Sequence, residues 1–402
     1  TATLVTLFTG FLIGMGSGVN ALVARYLGAD SREETDQTVH TAAILCLIVG
    51  GVLLALGMVL ARPLLELLHT KDELIDGATL YLHIYFLGMP AMALYNYGNG
   101  VLSAAGDTRR PLVFLLIAGI LNVALNLFFV IVCNMSADGV ALASILSQYL
   151  SAVLILIALF RSHEDYALHL KKLRLHGEKS RMLLTLGCSA GFQNAIFSIA
   201  NLFIQGAVNS FPTVVVEGNS AASNADGLVY DVMAAFHTAC ASFIGQNYGA
   251  GHRDRVRKSY LISLTYSFAL GTALGLALVF FGEGFLALFT DDPAVAQEGM
   301  ARLRVMGFSY GISAFMDCTI AASRGLGKCV VPTIIVIAGS CVFRVIWVYT
   351  VFAYFRTLMS LYLMYAFSWT ITAVAEIIYF RITYRKQMTV FSQESGQKAF
   401  TS

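Results

Sequence analysis

Apolar stretches about as long as a bilayer's hydrocarbon core is thick follow one another along this 402-residue chain. A transmembrane helix needs roughly 20 mostly apolar residues. Only 12% of the residues are charged, whereas an ordinary soluble domain has about 25%. The pattern excludes a soluble protein and predicts an all-α polytopic membrane protein. In chain order, the expected helices lie near residues 3–25, 39–60, 76–104, 111–132, 138–160, 182–209, 214–248, 257–281, 298–323, 332–354 and 359–383.

Short motifs recur in the two halves of the chain at a nearly constant shift. YLGADSR at 26–32 recurs as NYGAGHR at 247–253, which is a shift of 221 residues. AAGDTRRP at 104–111 likewise recurs as RGLGKCVVP at 324–332. The helix at 182–209 has no counterpart, because its partner would fall before residue 1. We therefore expect two pseudo-symmetric six-helix bundles, with the first helix missing from this chain and eleven helices present.

One long, densely charged segment, residues 161–181, separates the two halves. We interpret it as a hydrated basic linker. The predicted organisation is an N-terminal bundle at 1–160, this linker at 161–181, and a C-terminal bundle with a short tail at 182–402.

The basic residues predict the orientation in the membrane. Most of the 26 Lys and Arg residues lie in one set of alternating connections, which includes the linker and the C-terminal tail. Connections rich in Lys and Arg face the cytoplasm. We therefore expect a multi-pass protein of the cell membrane whose linker and C-terminus are cytoplasmic. The other set of connections holds Arg62, Lys71, Arg302, Arg304 and Arg356.

These motifs resemble those of the multidrug and toxic compound extrusion (MATE) family, and most closely its DinF-like bacterial branch. GADSR and QNYGAGHR follow the second helix of each repeat, and AAGDTRRP and ASRGLGKCVVP follow the fourth. GILNVALNLFF, followed by GVALASILSQYLSAVL, is similar to the family's fifth and sixth helices.

The resemblance implies a V-shaped pair of bundles around a central cavity. It also implies antiport by alternating access, in which Na⁺ or H⁺ moving inward across a bacterial inner membrane drives export of organic compounds. The expected partners are small, cationic organic substrates and membrane lipid, with no nucleic acid and no cofactor beyond the coupling ion. The expected state is a monomer.

The family's own coupling residues are only partly represented. In the DinF-like branch a coupling Asp lies on the first helix, which this chain lacks. The fifth helix of the family often carries Asn and Asp four residues apart. Here that pair is Asn122 and Asn126, so an amide replaces the acid.

Charged residues inside a membrane helix are expensive and commonly functional, which makes Asp317 the first candidate for ion coupling. The 221-residue shift places Asp317 at the position of Asn96, and Arg324 at that of Ser103. Removal from water disfavours the charged form of a carboxyl group, so such a group can exchange a proton or Na⁺. The alternative is a salt bridge from Asp317 to Arg324 or Arg344. Further ion-coupling candidates are Asp231, Arg344, Glu376, Asn122 and Asn126.

Uncharged polar side chains at helical spacing are the candidates for lining a substrate cavity. A stripe on helix 182–209 and single positions on other helices have this character. The alternative is that they form hydrogen bonds between helices. The candidates are Asn194, Ser198, Asn201, Gln205, Asn224, Asn96 and Asn99. Asp226 and Glu217, nearer the outer end of their helix, are interpreted as hydrated acids.

Glycines repeated every four residues predict close approach of helices. Gly14 and Gly18 form one such pattern, and Gly187 and Gly191 form another. Helices that carry small residues at this spacing can bring their backbones together. We interpret these glycines as packing positions.

Motifs typical of hydrolases, metalloproteases and nucleotide-binding enzymes are lacking in the sequence, and we predict no catalytic or metal site. Two alternatives to the exporter remain. A flippase for lipid-linked sugars would need a strongly cationic cavity, and an intramembrane lipid-modifying enzyme would need clustered acids or histidines near an interface.

Overall fold

The computed structural model describes residues 2–67 and 72–401 and contains no strand in those ranges. Helices account for nearly all of them. In chain order they are α1 (Ala2–Gly28), α2 (Arg32–Leu67), α3 (Asp72–Phe86), α4 (Met89–Ala104), α5 (Arg109–Leu127), α6 (Ala137–Phe160), α7 (Gly177–Val208), α8 (Thr213–Gly249), α9 (Arg253–Leu286), α10 (Pro293–Gly325), α11 (Val330–Phe355) and α12 (Leu358–Thr401).

By length and composition, ten of these helices can cross a membrane, and the number is eleven when a bent pair of shorter helices is counted as one span. The predicted all-α polytopic fold is confirmed. The bent pair is α3 and α4, which turn by 43° where the sequence predicted one helix at 76–104. Pro90 stands in the first turn of α4, where its missing N–H donor and fixed φ end the preceding helix.

The repeat found in the sequence is present in the backbone. Asp30 and Gly251 both adopt left-handed conformations, with φ of 51° and 73°, after equivalent helices. Gly106 and Gly327 do the same, with φ of 87° and 76°. Both pairs keep the shift of 221 residues. Turns that leave the right-handed region therefore end the same helices in both halves.

The fifth helix of each repeat also carries a π-helical turn at matching positions. One turn, Phe128–Val132, continues α5, and the other, Val348–Phe352, lies within α11. A further π-helical turn, Ile337–Val342, occurs only in α11. Turns of this kind are rare and often mark functional positions.

By packing, the chain divides into two compact units, Thr1–Ala195 and Ile196–Ser402. The boundary lies inside α7, whose first 19 residues therefore pack with the first unit. The division predicted from the sequence, at 161–181, concerns the repeats and stays a prediction.

Within the first unit, α1 and the start of α7 meet through glycines. A Cβ atom at Gly18 would lie 2.5 Å from the backbone nitrogen of Gly187, and one at Gly14 would overlap the backbone of Gly191. No larger residue fits at such a distance. The packing role predicted for these glycines is confirmed.

The charged connection between the halves combines an exposed surface with a few buried residues. It is a loop only as far as residue 176, because α7 begins at Gly177. Ala167 and Leu168 within it are buried, with exposed fractions of 5% and 3%, and Lys179 is buried too. Most residues of 161–181 are exposed, as expected of a hydrated linker, while two apolar side chains within the charged run are buried in the first unit.

Candidate functional site

A buried ion pair joins α8 and α10 in the second unit. The Arg302 guanidinium donates to Asp226 Oδ2 from Nε at 2.9 Å and from Nη2 at 2.6 Å. Its Nη1 donates to Asn219 Oδ1 at 2.7 Å, and the Tyr310 hydroxyl donates to the other oxygen of Asp226. Arg302 is only 7% exposed. This network satisfies both charges away from bulk water, which a buried pair requires.

The sequence interpretation of these two residues was wrong. Asp226 was expected to be a hydrated acid, and Arg302 was counted with the outer connections. Helix α10 begins at Pro293, five residues earlier than predicted, so Arg302 lies in its third turn. The position of a charged residue near the end of an apolar stretch does not predict whether a residue on another helix will pair with it.

Arg344 lies in α11 between the two π-helical turns and is 3% exposed. Its Nε donates to Ser368 Oγ on α12 at 3.0 Å. Its guanidinium carbon lies 4.6 Å from the ring centroid of Tyr365, 5.6 Å from that of Phe197 and 5.8 Å from that of Trp369. Within the described chain, Nη2 is buried without a hydrogen-bond partner. Aromatic faces thus surround this cation and leave one of its donors unused.

Tyr365 lies between the two buried arginines. Its ring centroid is 5.5 Å from the guanidinium of Arg302 and 4.6 Å from that of Arg344. The same face of α12 continues through Ser368 to Thr372, whose hydroxyl lies 2.9 Å from that of Ser340 on α11. This polar face of α12 is therefore turned inward, against α10 and α11.

Glu376, one turn beyond Thr372, has no exposed surface at all. In the residues that the structure describes, neither of its carboxylate oxygens has a hydrogen-bond partner. The charge that acts on it is that of Arg324, at the end of α10. An unsatisfied carboxyl group inside a protein is costly, so its presence calls for an explanation.

Asp317 is half-buried on α10, within the fields of Arg324 and Arg344. The hydrogen bond of Arg344 goes to Ser368, so its interaction with Asp317 acts through space. We call six residues of the second unit the charged ladder. They are Asp226, Arg302, Arg344, Asp317, Arg324 and Glu376. With three acids and three arginines, the ladder is neutral when all six are ionised.

The polar stripe predicted on α7 is divided between two environments. Asn194, in the first unit, donates from Nδ2 to the Gly10 carbonyl at 2.9 Å, so it bonds two helices. Asn201 and Gln205, in the second unit, are exposed, and Ser198 between them and Asn194 is half-buried. Gln205 Nε2 donates to Asn209 Oδ1 at 2.9 Å.

Asn224 and Asp231 on α8 are exposed as well. Hydrocarbon offers no hydrogen-bond partner to such side chains, so an exposed polar face in a membrane segment requires water or another polar surface. These positions are typical of a water-accessible surface on the second unit.

The amide candidates of the first unit are joined by hydrogen bonds within their own helices. Asn96 Nδ2 donates to the Met92 carbonyl at 2.9 Å, and Asn99 Oδ1 accepts from Ser103 Oγ at 3.2 Å. On α5 the half-buried Asn126 donates to Asn122 Oδ1 at 3.0 Å, directly before the π-helical turn.

Comparison with known proteins adds the family. The family model described as MatE matches residues 1–128 and 190–350, which is more than half of the chain. The chain is 26% identical over 312 residues to a protein of Shewanella oneidensis named FAD transporter, covering 76% of this chain and 68% of that one. It is 26% identical over 337 residues to the probable multidrug resistance protein YpnP of Bacillus subtilis, covering 83% and 75%.

A solved structure has the same fold. It is described as the outward-facing conformation of a multidrug resistance MATE family transporter of the MOP superfamily. The TM-score is 0.89 at 21% identity, and the match covers 96% of this chain and 87% of that one. At this level of identity the likeness concerns the fold alone.

Proposed function

Because the chain belongs to the MATE family, whose members are membrane transporters and not enzymes, we propose that it exports small organic compounds by cation-coupled antiport. The observation that carries the proposal is the charged ladder, which concentrates buried ionisable groups in one unit. The multidrug resistance name of the Bacillus subtilis relative supports organic substrates. Membership of the DinF-like branch stays a prediction.

Asp317 is the proposed carrier of the coupling ion. It is half-buried, whereas Glu376 has no exposed surface. When Asp317 takes up H⁺ or Na⁺, the ladder changes from neutral to a net charge of +1. Arg324 and Arg344 then lose a counter-charge, and a conformation that hydrates or re-pairs them becomes favoured. Ion binding at one carboxylate thereby biases an alternating-access equilibrium.

Glu376 is the proposed second acid of this site. Its carboxyl group and that of Asp317 both interact with Arg324, so the same cation acts as a counter-charge to both acids. Asp231, exposed on α8, is the remaining candidate, at the surface where a cation would arrive.

The exposed amides Asn201, Gln205 and Asn224 are the proposed lining of the substrate path. They offer both donors and acceptors without fixing a charge, which suits a site that accepts many compounds. The proposed setting is a cell membrane, with the linker and the C-terminus in the cytoplasm. Cationic substrates and a monomeric state complete the proposal.

The test is dye efflux from cells that express the complete protein, with the Na⁺ and pH gradients varied independently. We expect efflux of a cationic dye to stop when one of the two gradients is collapsed, and to continue when only the other is. Efflux that continues with both gradients abolished would refute cation coupling.

A second candidate function is the export of flat aromatic anions. It rests on Arg344, whose unused Nη2 donor lies among three aromatic rings, and on the name of the Shewanella relative. Flavin nucleotides combine aromatic rings with phosphate groups. Uptake of FAD or of a cationic dye from the medium into everted vesicles separates the two candidates, because a transporter of anions will accumulate FAD and a transporter of cations will accumulate only the dye.

The lipid-linked sugar flippase is less favoured by the geometry. A pyrophosphate would need several uncommitted cations in one place, whereas Arg302 is bonded to Asp226. The intramembrane enzyme is set aside, because members of the family are transporters.

A further inference from the structure

The loop between α6 and α7, residues 161–176, lies against the beginning of α2 in the first unit. We call this loop the strap. Its backbone returns to α6, because the Leu168 amide donates to the Leu159 carbonyl at 3.1 Å. The side chains of Ala167 and Leu168 are buried, while that of Leu173, further along the strap, is exposed. The strap is held again near its far end, where the Thr41 hydroxyl of α2 donates to the Arg174 carbonyl at 3.2 Å.

His40 on α2 is fully buried beneath the strap. Its Nε2 lies 3.0 Å from the backbone nitrogen of His169, and its Nδ1 lies 2.7 Å from the Asp36 carbonyl oxygen. A backbone amide can only donate, so Nε2 must be the acceptor and carries no proton. A carbonyl can only accept, so Nδ1 carries the hydrogen. The anchored strap therefore requires a neutral His40.

Asp36 links the same histidine to a second contact of the strap. Its Oδ1 lies 2.9 Å from Lys172 Nζ and 3.7 Å from His40 Nδ1. A positive charge on His40 would compete with Lys172 for this oxygen. Proton uptake by His40 thus acts on two strap contacts at once. It turns Nε2 into a donor that faces the His169 amide, and it draws Asp36 away from Lys172.

The other ionisable groups around His40 are on the strap. The His169 ring lies 6.3 Å from the His40 ring and is exposed, so water can solvate a charge on it. His176 contacts Thr41, with Nδ1 at 3.2 Å and the backbone amide at 3.3 Å from the hydroxyl oxygen. His169 and His176 both donate to α2 through their backbone amides, so these two contacts do not depend on the charge of their own rings.

The second repeat shows that the fold does not require these polar residues. The shift of 221 residues places Arg257, Leu261 and Ile262 on α9 at the positions of Asp36, His40 and Thr41. All three are exposed there. The repeat forms this helix without a histidine, so the polar set on α2 is specific to the helix that the strap covers.

We propose that the strap is a proton-operated latch. It is closed on α2 while His40 is neutral, and acidification on its own side of the membrane releases residues 167–172. The latch is independent of the coupling ion, which acts in the second unit. Its role is to make the connection between the two repeats respond to pH.

The test compares two single cysteines on the strap in the complete transporter, with its native cysteines replaced. Leu168→Cys reports release, because Leu168 is buried in the closed strap. Leu173→Cys is the matched control, exposed in either state. Both are labelled with a water-soluble maleimide in permeabilised membrane vesicles between about pH 5 and pH 8, the range in which imidazoles titrate. The ratio of the two labelling rates cancels the pH dependence of the thiols themselves.

We expect this ratio to rise about fivefold toward acid pH, the change that corresponds to loss of one hydrogen bond worth about 1 kcal/mol. In His40→Gln, whose amide can still accept from His169 and donate to Asp36, the ratio should stay low throughout. In His40→Leu, which copies the second repeat, it should be high throughout. A flat ratio in the parent overturns the latch. So does an equal rise in His40→Gln, or a His40→Leu protein that keeps the parent's pH dependence.

Discussion

The two repeats share a backbone but differ in what they bury. Their helices end in the same left-handed turns, at Asp30 and Gly251 and again at Gly106 and Gly327. The interior of the second repeat nevertheless contains a ladder of charges, and the equivalent positions of the first are neutral. Where Glu376 is fully buried, the first repeat has Ile155, which is equally buried and packs against Gly98.

This difference separates what the fold needs from what transport needs. A helix that packs with isoleucine at one position in one repeat does not require a carboxyl group there in the other. Burying an ionisable group costs free energy, and a buried pair is no more stabilising than a well-packed apolar one. The ladder is therefore best explained by function. The first-repeat counterparts of Asp317, Arg324, Glu376, Asp226 and Arg302 are Asn96, Ser103, Ile155, Val5 and Tyr81.

The sharpest test of this view is Asp317→Asn, which gives the second repeat the side chain of Asn96. We expect the protein to fold and insert normally, because the first repeat is built with the amide. We expect ion-driven efflux to fall to the level of cells without the transporter. An amide carries no negative charge, so it offers H⁺ or Na⁺ nothing to neutralise. Efflux and membrane yield are the two measurements.

The matched control is Asp291→Asn, in the exposed turn before α10. It removes the same charge from the same repeat and should leave efflux unchanged. Normal efflux in Asp317→Asn would make Asp317 structural and would move the search for the coupling acid to Glu376 and Asp231.

The next largest effect is expected at the ion pair of the ladder. Asp226→Val copies Val5 but leaves Arg302 buried without its counter-charge, which should lower the free energy of unfolding by about 3–5 kcal/mol. Adding Arg302→Tyr, after Tyr81, removes the stranded cation and should recover most of that loss. Thermal unfolding of the purified proteins in detergent measures both.

The single variant Arg302→Tyr completes a double-mutant cycle, which isolates the coupling between the two side chains. If the double variant is less stable than either single variant, the second repeat does not tolerate the uncharged pair, Val5 and Tyr81, that the first repeat has at these positions. The comparison between repeats would then fail at this position.

The course of the backbone was more predictable from the sequence than the side-chain contacts of the interior. The helical spans, the repeat and the glycine contacts of α1 follow from apolar length, motif spacing and small-residue spacing, which are local properties of the sequence. The pairing of Asp226 with Arg302 does not, because it joins residues on two helices and needs the true start of α10. The anchoring of the strap was missed for a similar reason. A short apolar pair such as Ala167 and Leu168 shows no periodicity that predicts burial.

Half of the charged ladder was predictable residue by residue, but its arrangement was not. Asp317, Arg344 and Glu376 were identified because charge is rare in membrane helices. A salt bridge from Asp317 to Arg324 or Arg344 was the expected alternative, whereas the hydrogen bond of Arg344 goes to Ser368. Helical phase indicates which side chains share a face of one helix, and it contains no information about which faces meet.

A smaller effect, of opposite sign, is expected at Glu376. Glu376→Ile copies Ile155 and removes two buried oxygens that have no hydrogen-bond partner among the described residues. We expect it to raise the free energy of unfolding by about 1–3 kcal/mol, the usual cost of an unsatisfied buried polar group. Efflux should fall at the same time, because the second acid of the site is lost.

The matched variant is Glu376→Gln, which keeps the shape and the polarity but not the ionisable group. It should reduce efflux as Glu376→Ile does, without the gain in thermal stability. A Glu376→Ile protein that is less stable than the parent would show that the carboxyl group has a structural partner.

The smallest effect is expected in a left-handed turn whose backbone conformation is more favourable for the residue of one repeat than for that of the other. Arg356 and Asn134 lie in the connections that follow the fifth helix of each repeat, with φ of 47° and 52°. The left-handed region disfavours residues with a long side chain and tolerates asparagine. Arg356→Asn should therefore raise the free energy of unfolding by a few tenths to about 1 kcal/mol, and Asn134→Arg should lower it by a similar amount. Both residues lie in exposed turns, so neither change should alter efflux.

Thermal unfolding of the two variants beside the parent tests this pair of predictions. If both changes shift the transition in the same direction, the two turns are not equivalent, and the backbone match between the repeats does not extend to this turn.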